Sequence, residues 1–195
     1  MVGVLGLLWV IQLINALNGD RLVRFGIRPR QVDGLTGIVT APFLHGDASH
    51  LFANSVPLLV MGWLVLASGL RSWLVSSAII ILFSGLFTWL VAPGGLIVGA
   101  SAVVFGWLGY LIARAYFARK IAWIIIAIAV VATFSSMLGG LLPGTSGISW
   151  PGHVGGLLGG VLAGWLLHPR KPPRKQPPKV VGKSSDHLPP LGVTP

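Results

Sequence analysis

The chain has 195 residues, is 54% hydrophobic and only 9% charged, and has a mean hydropathy of +0.83, whereas a soluble domain carries nearer a quarter of charged residues. With no cysteine, no glutamate and only Asp20, Asp33, Asp47 and Asp186, none of them inside an apolar run, disulfides and thiolate metal sites are excluded and carboxylate-pair catalysis in a membrane is disfavoured. The net charge of +10 sits in loops and a tail beside apolar runs, so it implies an integral membrane protein in contact with the bilayer and no nucleic-acid partner.

A spanning helix needs about 20 mostly apolar residues, and six runs approach this: 2–17, 51–70, 73–92, 100–117, 121–138 and 152–167. The expected fold is all-α, a polytopic bundle of six transmembrane helices over residues 1–168. The first run has no basic region ahead of it, and Asn15-Ala16-Leu17-Asn18 is a poor cleavage site, so it reads as a retained helix rather than a signal peptide. Loop 18–49 mixes Arg21, Arg24, Arg28 and Arg30 with Leu22, Phe25, Ile27, Val32 and Leu35, a pattern suited to the membrane interface.

Ten of the 14 basic residues follow even-numbered helices or lie in the tail, which puts both termini in the cytoplasm of a multi-pass inner-membrane protein. The arginine-bearing first loop would then face outward, and long loops obey the rule weakly. Residues 169–195, rich in proline and lysine, cannot bury apolar area and are expected to be disordered, with some attraction to anionic lipid.

Polar residues then recur at the outer ends of three runs. His50 and Asn54 open the second helix and, four apart, share a face. Ser101 opens the fourth within Gly99-Ala100-Ser101-Ala102, with Phe105 on the same face, and His153 opens the sixth. Such groups are expensive in a bilayer. A helix N-terminus favours a developing oxyanion and disfavours an imidazolium, which suits acyl transfer. Gly99, Ala102, Gly106 and Gly109 on the fourth helix and Gly152, Gly156 and Gly160 on the sixth form small-residue stripes, which let backbones approach closely enough for a Ser101–His153 hydrogen bond. The glycines alone would signify no more than ordinary packing. His45, just outside the second run, caps its loop or supports His50. A zinc site of His45, His50 and His153 is a rival use of the same residues, disfavoured by the lack of an HExxH motif or a nearby acid; no metal and no cofactor are expected.

The run His45-Gly46-Asp47-Ala48-Ser49-His50-Leu51-Phe52-Ala53-Asn54 resembles the H-x4-H-x3-N signature of the rhomboid intramembrane proteases. Gly99-Ala100-Ser101-Ala102 with Gly106 and Gly109-Tyr110 resembles their G-x-S-x motif, and Gly152-His153-Val154-Gly155-Gly156 through Gly160 their histidine-bearing sixth helix. The resemblance implies a six-helix rhomboid bundle and a serine endopeptidase acting on transmembrane segments of membrane proteins. Ser101 is then the nucleophile and His153 the base. His50, Asn54 and the Ser101 N–H form the oxyanion hole near the outer face, and Phe105 stands where bacterial members often stack a tyrosine on the catalytic imidazole. The fifth helix and loop 139–150 would form the substrate gate and cap. The first loop lacks the family's common Trp-Arg pair. A non-catalytic rhomboid-like protein that binds or escorts membrane helices is the alternative, against which the intact serine and histidine argue. A transporter would place its polar groups nearer the midplane.

Overall fold

A computed structural model describes residues 1–144 and 149–168. The expectations for the tail 169–195 and for residues 145–148 of the expected cap lie outside those residues. In chain order the α-helices are α1 (Val2–Leu17), α2 (Gly37–Thr40, one turn), α3 (Ala48–Leu66), α4 (Leu70–Val91), α5 (Ser101–Ala118), α6 (Ile121–Thr133) and α7 (Trp150–Leu167). Short 3-10 turns lie at Arg21–Phe25, Val32–Thr36, Ala41–Phe43 and Ser135–Leu141. The described residues hold no strand beyond one isolated bridge between Ile27 and Ile97. The fold is all-α, as the apolar runs imply.

Three helices, α3, α4 and α5, are each long and apolar enough to cross a membrane, and α6 joined to Ser135–Leu141 makes a fourth if that bent pair is one span. The chain is therefore a multi-pass membrane protein. With 16 residues α1 is shorter, and α7 is diluted by glycine, so three to four spans stand on length and composition.

Against the sequence expectation α3 ends at Leu66 instead of residue 70, α4 starts at Leu70 instead of 73 and α7 at Trp150 instead of 152, and two further differences have a visible local cause. The helix expected from residue 51 starts at Ala48, because the Asp47 carboxylate accepts the His50 N–H at 2.8 Å and so caps the first turn. The helix expected over 121–138 ends at Thr133, and the chain bends by 75° into Ser135–Leu141. There the Ser135 hydroxyl donates to the Ala132 carbonyl at 3.0 Å, Ser136 follows, and Gly139 and Gly140 come next. Such hydroxyls compete with the helical ladder and glycine weakens it.

The centre of the bundle is α5, which packs against α7, α4, α3 and α6. Its side toward α7 has no room for side chains. A Cβ on Gly156 would lie 2.1 Å from the Ala102 carbonyl oxygen, one on Gly160 1.8 Å from that of Gly106, and one on Gly109 2.2 Å from that of Leu157. The two backbones touch, and dispersion contacts along that seam replace the hydrophobic driving force that lipid does not supply. Around the rest of α5, Val104, Trp107, Tyr110 and Leu111 are buried in the apolar core.

The first loop is anchored to the end of α4. Arg30 donates its backbone N–H to the Trp89 carbonyl at 3.0 Å, and its guanidinium to the carbonyls of Ala92 at 2.6 Å, Pro93 at 3.0 Å and Leu90 at 3.3 Å. These carbonyls belong to a helix end that has no intrahelical donors left for them. The Trp89 indole returns a bond to the Gln31 carbonyl at 2.8 Å. Phe25, Val32, Leu35, Val39 and Phe43 remain exposed on the same loop, in keeping with an interfacial position.

Two outcomes test this packing in thermal melts of the detergent-solubilised chain. Gly156→Leu forces α5 and α7 apart and is expected to destabilise by about 3 kcal/mol or more, the upper end for overpacking. Arg30→Ala removes the cap and is expected to lose about 1–3 kcal/mol, with Arg30→Lys recovering only part because one ammonium cannot serve three carbonyls in a fixed fork. Wild-type melting of Gly156→Leu would mean that the helices do not meet at that glycine.

Candidate active site

The contact between α5 and α7 brings the two chemical groups of these helices together. Ser101 is the first residue of α5 and His153 lies in the first turn of α7, and Ser101 Oγ is 2.8 Å from His153 Nε2. The other ring nitrogen, Nδ1, is 2.9 Å from the backbone carbonyl oxygen of Gly140 in the Ser135–Leu141 segment. A carbonyl oxygen only accepts, so Nδ1 carries the proton and donates it. In the neutral ring Nε2 is then the acceptor, and the Ser101 hydroxyl donates to it. That is the arrangement from which a general base activates an oxygen nucleophile. Phe105, one turn along α5, stacks on the imidazole with centroids 4.3 Å apart and planes 21° from parallel.

The remaining expected residues surround this pair. The His50 ring lies against Gly99, where a Cβ would come within 2.8 Å of its Cε1. Gly99 has φ +121°, so both its conformation and its closeness to the ring require glycine. Asn54 is buried and uses one amide hydrogen on the His50 carbonyl of its own helix at 2.9 Å, which leaves the other for a ligand. Ser101, His153, His50, Asn54 and Phe105 all border one cleft of about 830 Å³, together with Thr88 of α4. Gly156 and Gly160 lie outside it and act by allowing the approach.

His45 does not enter the cleft lining. It is buried, meets the His50 ring edge-on at 5.1 Å between centroids, and its Nε2 accepts the Ala100 N–H at 3.3 Å. Its contacts thus reach the turn ahead of Ser101 and the ring of His50. As a rival zinc ligand it is poorly served, since both nitrogens of His153 are already engaged by Ser101 and Gly140.

Three contributors escaped the sequence. Asp47 was legible in principle as a capping residue ahead of an apolar run. Arg30 was not, because its partners lie some 60 positions away. The Gly140 carbonyl is a backbone atom, which no residue pattern announces.

Burial drives the His45 pKa down from 6.5 to about 4, the nearby His50 pushes in the same direction, and Asp47 opposes both. A folded-state value below the unfolded one means that the native state takes up the proton less readily. The resulting penalty is absent above pH 6.5, grows as pH falls through that value and is complete below about pH 4, where it reaches roughly 3 kcal/mol. His45→Gln, whose amide oxygen can still accept the Ala100 N–H, is expected to flatten the melting temperature between pH 6.5 and 4. An unchanged acid sensitivity in that variant would assign it to another group.

The family model described as Rhomboid domain matches residues 33–170. The chain belongs to the rhomboid family. Its relatives include an uncharacterized protein of Mycobacterium tuberculosis strain H37Rv, 39% identical over 159 residues that make up 77% of this chain and 66% of the relative. Another, from Mycobacterium leprae strain TN, is 37% identical over 163 residues, 79% of this chain and 64% of the relative. This rhomboid therefore spans about two thirds of the length of the curated relatives it matches. The matched region holds His45, His50, Asn54, Ser101 and His153.

Proposed function

We propose that this rhomboid is an intramembrane serine endopeptidase that hydrolyses peptide bonds in transmembrane segments of membrane proteins. The observation that carries the reading is the 2.8 Å contact between Ser101 Oγ and an imidazole nitrogen whose partner nitrogen is already committed to the Gly140 carbonyl. Family membership supports it.

In this mechanism Ser101 Oγ adds to the scissile carbonyl carbon while its proton passes to His153 Nε2. The developing oxyanion is held by the Ser101 N–H in the first turn of α5, by the free Asn54 amide hydrogen and by His50, all within one cleft. Collapse of the tetrahedral intermediate releases the amine, which takes the proton from Nε2. Water then repeats the sequence on the acyl-enzyme and restores the serine. Phe105 keeps the ring plane fixed throughout by stacking. The placement of basic residues supports cytoplasmic termini and a cleft toward the outer face, and the three to four spans given by length and composition fit within a six-helix bundle.

Labelling of the detergent-purified chain with a fluorophosphonate tests the reading. Wild type is expected to be modified at Ser101, whereas Ser101→Ala and His153→Ala remain unmodified. Asn54→Ala is expected to lower the turnover of a transmembrane substrate by about 10²-fold, as for one lost oxyanion donor. A folded wild type that reacts with no serine-directed probe would overturn the hydrolase and favour a protein that binds membrane helices without cutting them.

A further inference from the structure

The Ser135–Leu141 segment combines two properties. Ser136, Met137 and Gly140 line the cleft that holds Ser101. The segment is also set off from α6 by a 75° bend, so its position is held by its own contacts, Met137, Leu138 and Leu141 on the core, and not by continuation of a helix. The other walls of the cleft come from α3, α4, α5 and α7, of which α4, α5 and α7 pack tightly on one another, and from the loops around residues 27–47 and 92–99. A substrate helix arriving from the bilayer has to shift part of this lining to reach Ser101. The Ser135–Leu141 wall carries the only acceptor bonded to His153 Nδ1 among the described residues.

We propose that Ser135–Leu141 is a positioning element of the hydrolase: its Gly140 carbonyl selects the His153 tautomer, so the base is competent only while the segment is seated. The inference rests on the hydrolase reading and adds control of its base. With the segment displaced, Nδ1 loses its acceptor and the ring is free to carry its proton on Nε2, where it cannot accept the Ser101 proton. Admission of substrate and activation of the serine then belong to two positions of one segment, and bond cleavage follows reseating.

The test uses the full chain labelled with ¹⁵N-histidine, in detergent at a pH where the ring is neutral. The His153 resonances, assigned by their loss in His153→Ala, are expected to show the proton on Nδ1. Leu138 and Leu141 pack the segment against the core without lining the cleft, so L138A/L141A loosens it and leaves the chemical groups in place. That variant is expected to show both tautomers and to react with a fluorophosphonate about tenfold more slowly or worse, short of the roughly 10⁴-fold loss that a fully wrong tautomer causes in triad enzymes. L138M/L141M is expected to restore both readouts.

A small probe needs no wide opening, so a segment that is only a wall would leave labelling unchanged or faster in L138A/L141A, and either result overturns the proposal. So does a wild-type His153 with its proton on Nε2, a reading that decides even if the double variant fails to fold. A labelled wild type indifferent to loosening sinks the positioning role alone, whereas a folded wild type that never labels sinks the hydrolase reading with it.

Discussion

Backbone contact between α5 and α7 is the constraint on which the other features depend. Two helices in lipid ordinarily stand 8–10 Å apart, held off by their side chains. Here Gly156, Gly160 and Gly109 remove that spacing, since any Cβ at these positions would come within 2.2 Å of a carbonyl oxygen on the facing helix. Ser101 and His153 meet at 2.8 Å because the helices carrying them are already in contact at Gly156 and Ala102, within one turn of both. A seam of carbonyl oxygens and glycines is also rigid, for it has no side-chain rotamers to relax. The geometry of the pair is thus set by covalent backbone rather than by adaptable packing.

That dependence explains how much of the site was legible in the sequence. Glycine spacing on two helices and a polar residue at the same end of each imply contact at that end, and His50, Asn54 and Phe105 follow from positions four apart on α3 and α5. The helix cores were equally plain, since apolar composition is what a bilayer selects. The illegible parts share a physical character: they depend on backbone groups or on partners remote in sequence. Arg30 looks like one more interfacial cation until the end of α4 supplies three carbonyls for it. The break after Thr133 lies inside the run 121–138 that reads as one helix, and its cause is local competition from Ser135, Ser136 and the two glycines that follow, Gly139 and Gly140.

The scarcity of acid in this chain bears on the chemistry. A soluble Ser-His-Asp site orients its imidazole with a buried carboxylate. Moving a carboxylate into a low-dielectric interior carries a penalty of several kcal/mol even after relaxation, and an ion there is held only by compensating partners. A backbone carbonyl supplies the same orientation without net charge. What it gives up is electrostatic stabilisation of the imidazolium, which favours a site where the proton resides on histidine only briefly. The helix dipoles act in the same sense, for the N-terminus of α7 disfavours a cation and that of α5 favours an anion beside it, as the proposed reaction requires.

Replacing a side chain by a backbone acceptor has a second consequence. A carboxylate on a core helix would orient His153 regardless of what the cleft walls do. In the proposed hydrolase a carbonyl on a separate segment ties the state of the base to the position of that segment, because a hydrogen bond is lost steeply once its atoms separate and misalign. On the proposed reading the site must open to admit a helix, and a wall that also completes the base leaves the open form inactive without any further device. If the hydrolase reading holds, tighter packing at Ser135–Leu141 would hold His153 more firmly and admit substrate less readily, so the bend after α6 belongs to the same design as the close contact of α5 with α7.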